Sequence, residues 1–203
     1  RVRARQEVHA MISGTIQGWL TDEDLADVRA RVPITTIDVI PYRLEPLSKH
    51  LRITAVLSIG LIRRVSPWGE VWCWIGGRLC RGEQVAPAVR RQVAEALGES
   101  VVVGDFDSAR PLRVTEFFPD PQDGAGLDPR QHGVSLAYAV PLRWEVAPQG
   151  EALGFNWFRD PFGLEIRLPF DNNFWPGVGE ALRDAVAELK RRIGDPKFDD
   201  VEV

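Results

Sequence analysis

The residue types best suited to chemistry lie close together in residues 71–99. An aromatic strand runs into the glycine pair 76–77, a short basic turn follows, and a helix then carries Arg91, Gln92 and Glu95 on its polar margin. Gln92 and Glu95 are three residues apart, so they are neighbours on the helix surface. Carboxylate oxygens bind hard cations, and arginine makes paired hydrogen bonds to phosphate. The spacing predicts that this margin faces back toward the glycine turn.

The helix that carries these residues is predicted from a clean apolar stripe. The stripe consists of Val85, Val89, Val93 and Leu97, joined by Ala88 and Ala96. Apolar residues that recur every three to four positions indicate a helix with one buried face. Gly98 is expected to end the helix. Ala96 is therefore predicted to be buried.

The spacing of this segment resembles the Nudix box, G-x5-E-x7-R-E-U-x-E-E-x-G-U, in which U is aliphatic. The residues on its fixed positions are Gly77, Glu83, Arg91, Val93, Glu95 and Gly98. Several matched positions in a strand, loop and helix context are more specific than a lone glycine motif. The chain departs from the pattern at Gln92 and Ala96, which replace two of the three helix carboxylates, and at Glu99. The resemblance covers about residues 34–162.

The resemblance implies a Mg²⁺ or Mn²⁺ ion that is held against a diphosphate. Its expected ligands are Glu95, a carbonyl from the glycine turn at Gly77 or Gly76, and Glu151 in a later loop. Mg²⁺ often takes only one or two protein carboxylates, so one ion is compatible with a box that lacks two of its three helix carboxylates. Gln92 can accept a hydrogen bond but is no strong metal ligand or base.

Catalysis by this arrangement would depend on Glu95, with Glu83 and Arg91 as its other expected catalytic residues. Glu83 is expected to order the loop by pairing with Arg91 or by accepting backbone N–H groups. The general base is unassigned. His132 titrates near neutrality and is one candidate, although a histidine at the start of a strand is more often structural. Weaker carboxylate candidates are Asp105, Asp107 and Glu116.

Four further residues are predicted to bind substrate. Arg78 and Arg81 lie in the box loop and can reach phosphate oxygens, although a solvent-facing basic turn is an equal alternative. Trp68 and Trp157 lie on segments that flank a Nudix cleft, where an aromatic face can stack on a nucleobase. Core packing is the competing interpretation for these tryptophans, and for Trp72 and Trp74, which alternation places on one face of a strand.

Composition limits the class of protein. The 203 residues are 44% hydrophobic and 27% charged, which is typical of one globular domain. A net charge of −4 argues against a general grip on nucleic acid or an anionic membrane. No apolar run approaches the ~18 residues of a membrane span, and no signal-peptide core is visible. Cys73 and Cys80 match no zinc or redox pattern, so reduced thiols and a cytoplasmic location are expected.

The predicted fold class is α/β, a Nudix fold with a mixed, partly antiparallel sheet sandwiched between helices. We expect an N-terminal extension over residues 1–20, one domain over 21–193, and a polar tail over 194–203. Helices are predicted over residues 22–31, capped by Thr21, and over 177–193. Strands are predicted over 35–43, 51–65, 71–75, 100–104, 111–118, 132–146 and 154–159, with 120–131 as a loop. Pro41 is expected to mark an edge or a bulge, and Gly60 to interrupt its strand.

Two functions of different classes follow. The first is metal-dependent hydrolysis of a nucleoside diphosphate linked to another group, for example a nucleotide sugar. The second is a catalytically silent Nudix fold that binds a nucleotide-like ligand or a protein partner, which the missing carboxylates favour. A homodimer is compatible with either. The segments W-L-T-x-E-D from Trp19 and V-P-I-x-x-x-D-V-x-P from Val32 also resemble a small bacterial group of Nudix-like proteins.

Overall fold

The computed structural model describes residues 20–46, 55–123, 125–143, 146–159 and 174–194. These residues form three helices, α1 (Asp22–Arg31), α2 (Val85–Leu97) and α3 (Val178–Ile193). They also form nine strands: β1 (Ile34–Pro46), β2 (Ala55–Ser66), β3 (Gly69–Cys73), β4 (Ile75–Arg78), β5 (Val102–Val103), β6 (Arg113–Phe118), β7 (Gly126–Leu127), β8 (Gly133–Arg143) and β9 (Gly154–Arg159). The expected extension over residues 1–20, except Leu20, and the tail beyond Gly194 lie outside the described residues.

The strands form a mixed sheet in the order β3-β2-β1-β8-β6-β7. Strand β1 lies parallel to β8 and antiparallel to β2 and β4. Strand β9 pairs with β2, and β5 pairs with β8. Helix α2 packs on β1 and β4, and α3 packs on β6. The predicted mixed sheet with packed helices is confirmed, and its centre is β1.

The helix ends follow local chemistry. Thr21 Oγ1 accepts a hydrogen bond from the Asp24 backbone N–H at 3.1 Å, which caps α1 as predicted. Helix α2 ends at Gly98, whose φ of +97° favours glycine because a side chain would be strained there. The predicted stripe is buried at Ala88, Val89, Val93, Ala96 and Leu97, and Val85 packs at its margin. The burial of Ala96 is therefore confirmed.

The prediction that Pro41 marks an edge or a bulge is wrong, because β1 is a central strand. One side of β1 pairs with β4 as far as Val39 and with β2 from Tyr42 onward. Pro41 lies at this changeover, where the absence of a backbone N–H costs least. Gly60 does not interrupt β2 either. It lies beneath the Phe155 ring of β9, and a Cβ at this position would lie 2.4 Å from that ring.

The predicted strand 71–75 is two strands. The chain leaves β2 after Cys73 and joins β1 at Ile75, with Trp74 between the two. Alternation along one continuous strand therefore does not apply to Trp72 and Trp74, and their shared face stays a prediction. Trp74 is buried. The predicted loop 120–131 contains the short strand Gly126–Leu127, paired with β6.

Candidate active site

The box loop is held by a buried ion pair between Glu83 and Arg91. Arg91 donates from Nε to Glu83 Oε1 at 2.7 Å and from Nη2 to Oε2 at 2.8 Å. Arg91 Nη2 also donates to the Arg78 carbonyl at 3.0 Å, and the Cys80 backbone N–H donates to Glu83 Oε2. The Glu83 side chain is 2% exposed. The expected pairing is confirmed, while a part for the two residues in catalysis stays a prediction.

Electrostatics keep this pair ionised. Burial alone would raise the pKa of Glu83, but the hydrogen bonds from Arg91 and Cys80 outweigh it and hold that pKa below its usual value. Burial alone would lower the pKa of Arg91, but Glu83 and the nearby Glu95 raise it. The pair is therefore a fixed, charged brace for the loop.

Glu95 lies one helical turn beyond Arg91. Arg91 Nη1 reaches its two carboxylate oxygens at 3.3 and 3.4 Å, which is longer than the contacts to Glu83. The Glu95 side chain is 38% exposed. Its carboxylate is therefore only loosely paired with Arg91, in contrast to that of Glu83.

Gln92 forms a hydrogen bond to the Gly77 carbonyl, the group that was predicted to bind a metal ion. Its side-chain amide Nε2 donates to the Gly77 carbonyl at 2.9 Å, and the residue is 3% exposed. Among the described residues, Gln92 Oε1 has no hydrogen-bond partner. A glutamine amide N–H thus occupies one acceptor direction of the carbonyl predicted to ligate an ion. The carbonyl oxygen has a second lone pair.

A cleft of about 310 Å³ opens beside this turn. Of the predicted site residues, Gly77, Arg78, Arg91, Glu95 and Glu151 line it. The structure therefore brings together the three predicted metal ligands, one predicted phosphate contact and the bracing arginine. Their roles stay predictions.

Glu151 reaches the cleft from the turn before β9. Arg64 of β2 donates to both of its oxygens, at 2.9 and 2.8 Å. The Glu151 side chain is 43% exposed. Burial raises its pKa, the charges of Arg64 and Arg130 oppose that rise, and the negative charge of Glu95 adds to it. The two predicted carboxylate ligands thus repel each other across the same cleft, a repulsion that a cation would relieve.

The other predicted residues lie outside the cleft lining. Arg81 is exposed in the turn before α2. Trp68 packs edge-on against Trp175 at 5.2 Å between ring centroids. Trp157 lies beneath the Arg43 guanidinium, 4.4 Å from it. His132 stacks on Phe118. Both cysteine thiols are free and buried, and Cys73, unlike Cys80, does line the cleft.

Asp38 is the functional candidate that the sequence reasoning missed. It lies on β1 opposite Gly76 and is 7% exposed, yet it lines the cleft. Ser135 donates its hydroxyl hydrogen to the carboxylate, and the Trp74 side chain is a second donor. Burial raises the pKa of Asp38 to about 7 despite these bonds and the charge of Arg64. An aspartate among β-branched strand residues was the available signal.

Gly76 provides the space for this carboxylate. A Cβ at Gly76 would lie 2.0 Å from Asp38 Oδ1. Because backbone pairing sets Asp38 directly opposite Gly76, a larger residue would force the carboxylate out of its position. The glycine turn therefore serves the site in two ways, through the Gly77 carbonyl and through the room that it leaves for Asp38.

Five arginines and four carboxylates line the cleft. Arg29, Arg64 and Arg130 line it together with Arg78 and Arg91. The first three were missed because they come from α1, β2 and the loop before β8, far apart in sequence. Arginine is well suited to phosphate and carboxylate recognition. Among the described residues, no three His, Cys, Asp or Glu side chains form a metal-binding group, and no helix is long and apolar enough to cross a membrane.

Solved structures with this fold were found for most of the chain. A protein from Jonesia denitrificans, described as a possible asymmetric diadenosine tetraphosphate hydrolase, is 27% identical, with 79% of this chain and 97% of that chain covered and a TM-score of 0.62. A MutT/nudix family protein from Enterococcus faecalis is 16% identical, with 89% and 79% covered and a TM-score of 0.59. A NUDIX hydrolase from Nitrosomonas europaea is 14% identical, with 82% and 76% covered and a TM-score of 0.51. These similarities confirm the predicted Nudix fold.

The comparison with curated proteins found no match. A family model described as a domain of unknown function, DUF4916, matches residues 15–191, which is most of the chain. With the Nudix fold in place, the superfamily resemblance stated from the box residues is also confirmed. The chain is a member of the DUF4916 family, within the Nudix superfamily.

Proposed function

We propose that the protein hydrolyses the phosphoanhydride bond of a nucleoside diphosphate linked to another group, for example a nucleotide sugar. The observation that carries this proposal is the cleft whose lining places Arg78 and Arg91 of the box beside Glu95, Glu151 and the buried Asp38. A diphosphate is highly anionic, and guanidinium groups both bind it and stabilise the charge that develops on its oxygens. The similarity to a possible diadenosine tetraphosphate hydrolase supports the same class of substrate.

A divalent cation, Mg²⁺ or Mn²⁺, fits the donors of this cleft. Glu95, Glu151 and the Gly77 carbonyl are hard oxygen donors, and the repulsion between the two carboxylates favours a cation between them. We assign these three groups as its ligands. When bound, the ion would polarise the phosphoryl oxygens as a Lewis acid.

Asp38 is the residue that we assign as general base. Its carboxylate lies at the cleft and accepts hydrogen bonds from Ser135 and Trp74, so its position is defined. A pKa of about 7 makes it a better proton acceptor than an ordinary carboxylate near neutral pH. In this mechanism Asp38 takes a proton from the attacking water, while Arg91 and Glu83 hold the loop and Arg64 orients Glu151.

The first test is hydrolysis of nucleoside-diphosphate compounds with Mg²⁺ or Mn²⁺ by the wild type and by Glu95→Gln. We expect the variant to lose hydrolysis because it loses an anionic ligand. Glu99→Gln is the matched control, since Glu99 is an exposed carboxylate just beyond the same helix. Full activity of Glu95→Gln would remove Glu95 from the mechanism.

A second candidate function is nucleotide binding without catalysis. Two observations favour it: Gln92 already engages the Gly77 carbonyl, and both carboxylate ligands are paired with arginines. Calorimetry with Mg²⁺ or Mn²⁺ separates the two functions, with and without ADP-ribose and with Glu95→Ala for comparison. Metal binding that needs Glu95 and tightens with the diphosphate supports the hydrolase. Nucleotide binding that is indifferent to metal supports the silent protein.

A further inference from the structure

One corner of the cleft carries three arginines from separate elements. Arg29 extends from α1, Arg78 ends β4, and Arg130 lies in the loop before β8. Strands β4 and β8 both pair with β1 at Thr36. Thr36 lies opposite Arg78 of β4 in the antiparallel ladder and opposite Ser135 of β8 in the parallel ladder. We call these three residues the guanidinium cluster.

Carboxylates pair with the two arginines of the cleft that lie outside this cluster. Arg64 is paired with Glu151, and Arg91 is paired with Glu83 and Glu95. Those two arginines therefore meet three carboxylates. Within the guanidinium cluster, Asp128 binds Arg130 through two hydrogen bonds at 2.8 and 2.9 Å, whereas the hydrogen-bond partner of Arg29 is a neutral amide.

Arg29 is held by a neutral partner and not by a carboxylate. Its Nε donates to the neutral Gln131 Oε1 at 2.8 Å. In the part of the chain that the structure describes, no carboxylate lies within salt-bridge distance of it. Burial, and then the positive charges of Arg130 and Arg78, lower the pKa of Arg29. An anion bound beside these arginines would offset the repulsion between their like charges.

The cluster is held in place before any ligand arrives. Gln131 is buried, and it fixes Arg29 through Nε, which leaves the Nη groups for another partner. The Arg130 guanidinium lies 4.9 Å from the centroid of the Trp175 ring, and Trp175 Nε1 donates to the Leu127 carbonyl at 2.8 Å. Groups that are already ordered lose little entropy on binding, so their contacts contribute more fully to affinity.

We propose that the guanidinium cluster binds a phosphate group of the substrate beyond the diphosphate at the box loop. The inference rests on the proposed function, because both place the substrate in one cleft. It narrows the substrate to nucleotides with at least three phosphates, so that a nucleotide sugar qualifies only if it carries a further phosphate. The third phosphate has two chemical sources, a longer 5′-polyphosphate chain or a phosphate on the ribose.

The test compares the affinity of three nucleotides, measured by calorimetry in Mg²⁺. ADP is the reference, ATP adds a chain phosphate, and 3′-phosphoadenosine 5′-diphosphate adds a ribose phosphate. We expect one of the last two to bind the wild type at least about tenfold more tightly than ADP, the gain typical of a charge-assisted contact. Which of the two gains affinity identifies the source of the phosphate.

Arg29→Ala should remove that preference while it changes ADP affinity by less than about threefold. Arg29→Gln is the second variant, since it removes the charge and keeps a polar side chain of similar length. Arg31→Ala is the matched control, because Arg31 is an exposed arginine of the same helix, paired only with Asp27 among the described residues. It should keep the wild-type preference. Thermal unfolding of all variants identifies any that fail to fold.

The outcomes separate this inference from the proposed function. Equal affinity of the wild type for all three nucleotides, or a preference that survives Arg29→Ala and Arg29→Gln, overturns the inference alone. Absence of binding by every nucleotide overturns the inference together with the proposed function. A preference lost in both Arg29 variants and kept in Arg31→Ala supports both.

Discussion

Asp38→Asn should make the protein more stable and less active. The buried carboxylate is held at the cleft by Ser135 and Trp74, and its ionised form is disfavoured by burial. Asparagine has nearly the same shape but no charge. It can still accept a hydrogen bond from Trp74 and donate one to the Ser135 hydroxyl. The substitution therefore removes the cost of the buried charge at little cost in packing.

The magnitude follows from the pKa of Asp38. Folding raises it from an ordinary value of 3.8 to about 7. This rise corresponds to about 4 kcal/mol of stability lost when the group ionises. Between pH 4 and 7 the unfolded chain releases this proton while the folded protein keeps it, so Asp38 lowers the free energy of unfolding as pH rises through that window. Above pH 7 the loss is complete.

The assay is urea unfolding of the wild type and Asp38→Asn at pH values from 4 to 8. The stability difference in favour of Asp38→Asn should grow by about 3–4 kcal/mol across this range. Asp120→Asn is the control for removal of an exposed charge. A difference that stays constant with pH, or a variant less stable than the wild type at pH 8, would refute a buried, ionisable Asp38.

The pH dependence of kcat should also report the ionisation of Asp38. Because the base must be ionised, kcat of the wild type should rise with pH through about 7, and Asp38→Asn should lose this rise together with most of the activity. Arg91→Ala should lower the free energy of unfolding by about 3–5 kcal/mol, because it leaves the buried Glu83 carboxylate without its partner. Chemical denaturation measures this loss, and a value below about 1 kcal/mol would contradict the prediction. Gly76→Ala should lower the free energy of unfolding by about 1–3 kcal/mol, since its Cβ would meet Asp38 Oδ1. The control is Gly154→Ala, which has open space around it and should change stability little. Equal melting temperatures for the two variants would argue against the close approach of Gly76 and Asp38.

Local sequence patterns predicted the features that depend on residues close together in the chain. The Thr21 cap, the buried stripe of α2 and its end at Gly98 all arise from interactions within a few residues. The Glu83 and Arg91 pair was expected from the box spacing, since both belong to one loop and the helix that follows it. The burial of Ala96 followed from helical periodicity alone.

Errors arose where pairing with a distant strand decides the outcome. Pro41 was expected at an edge, but the position of a strand in a sheet depends on its neighbours, and β1 has three of them. Residues 71–75 were expected to form one strand, but the chain changes partner strand after Cys73. Side chains alternate between the two faces of a sheet only while the strand continues without a break.

Sequence by itself thus determined the superfamily, the box loop and the helix that carries Glu95, because these depend on short-range spacing. Tertiary structure alone decided how the cleft is charged. It brought Asp38 to Ser135, Arg64 to Glu151 and Arg29 to Gln131, pairs separated by 97, 87 and 102 residues. Each pair depends on the course of the sheet and the packing of α1, and no local pattern encodes such contacts. Burial then raised the pKa of Asp38, a property that exists only in the folded protein.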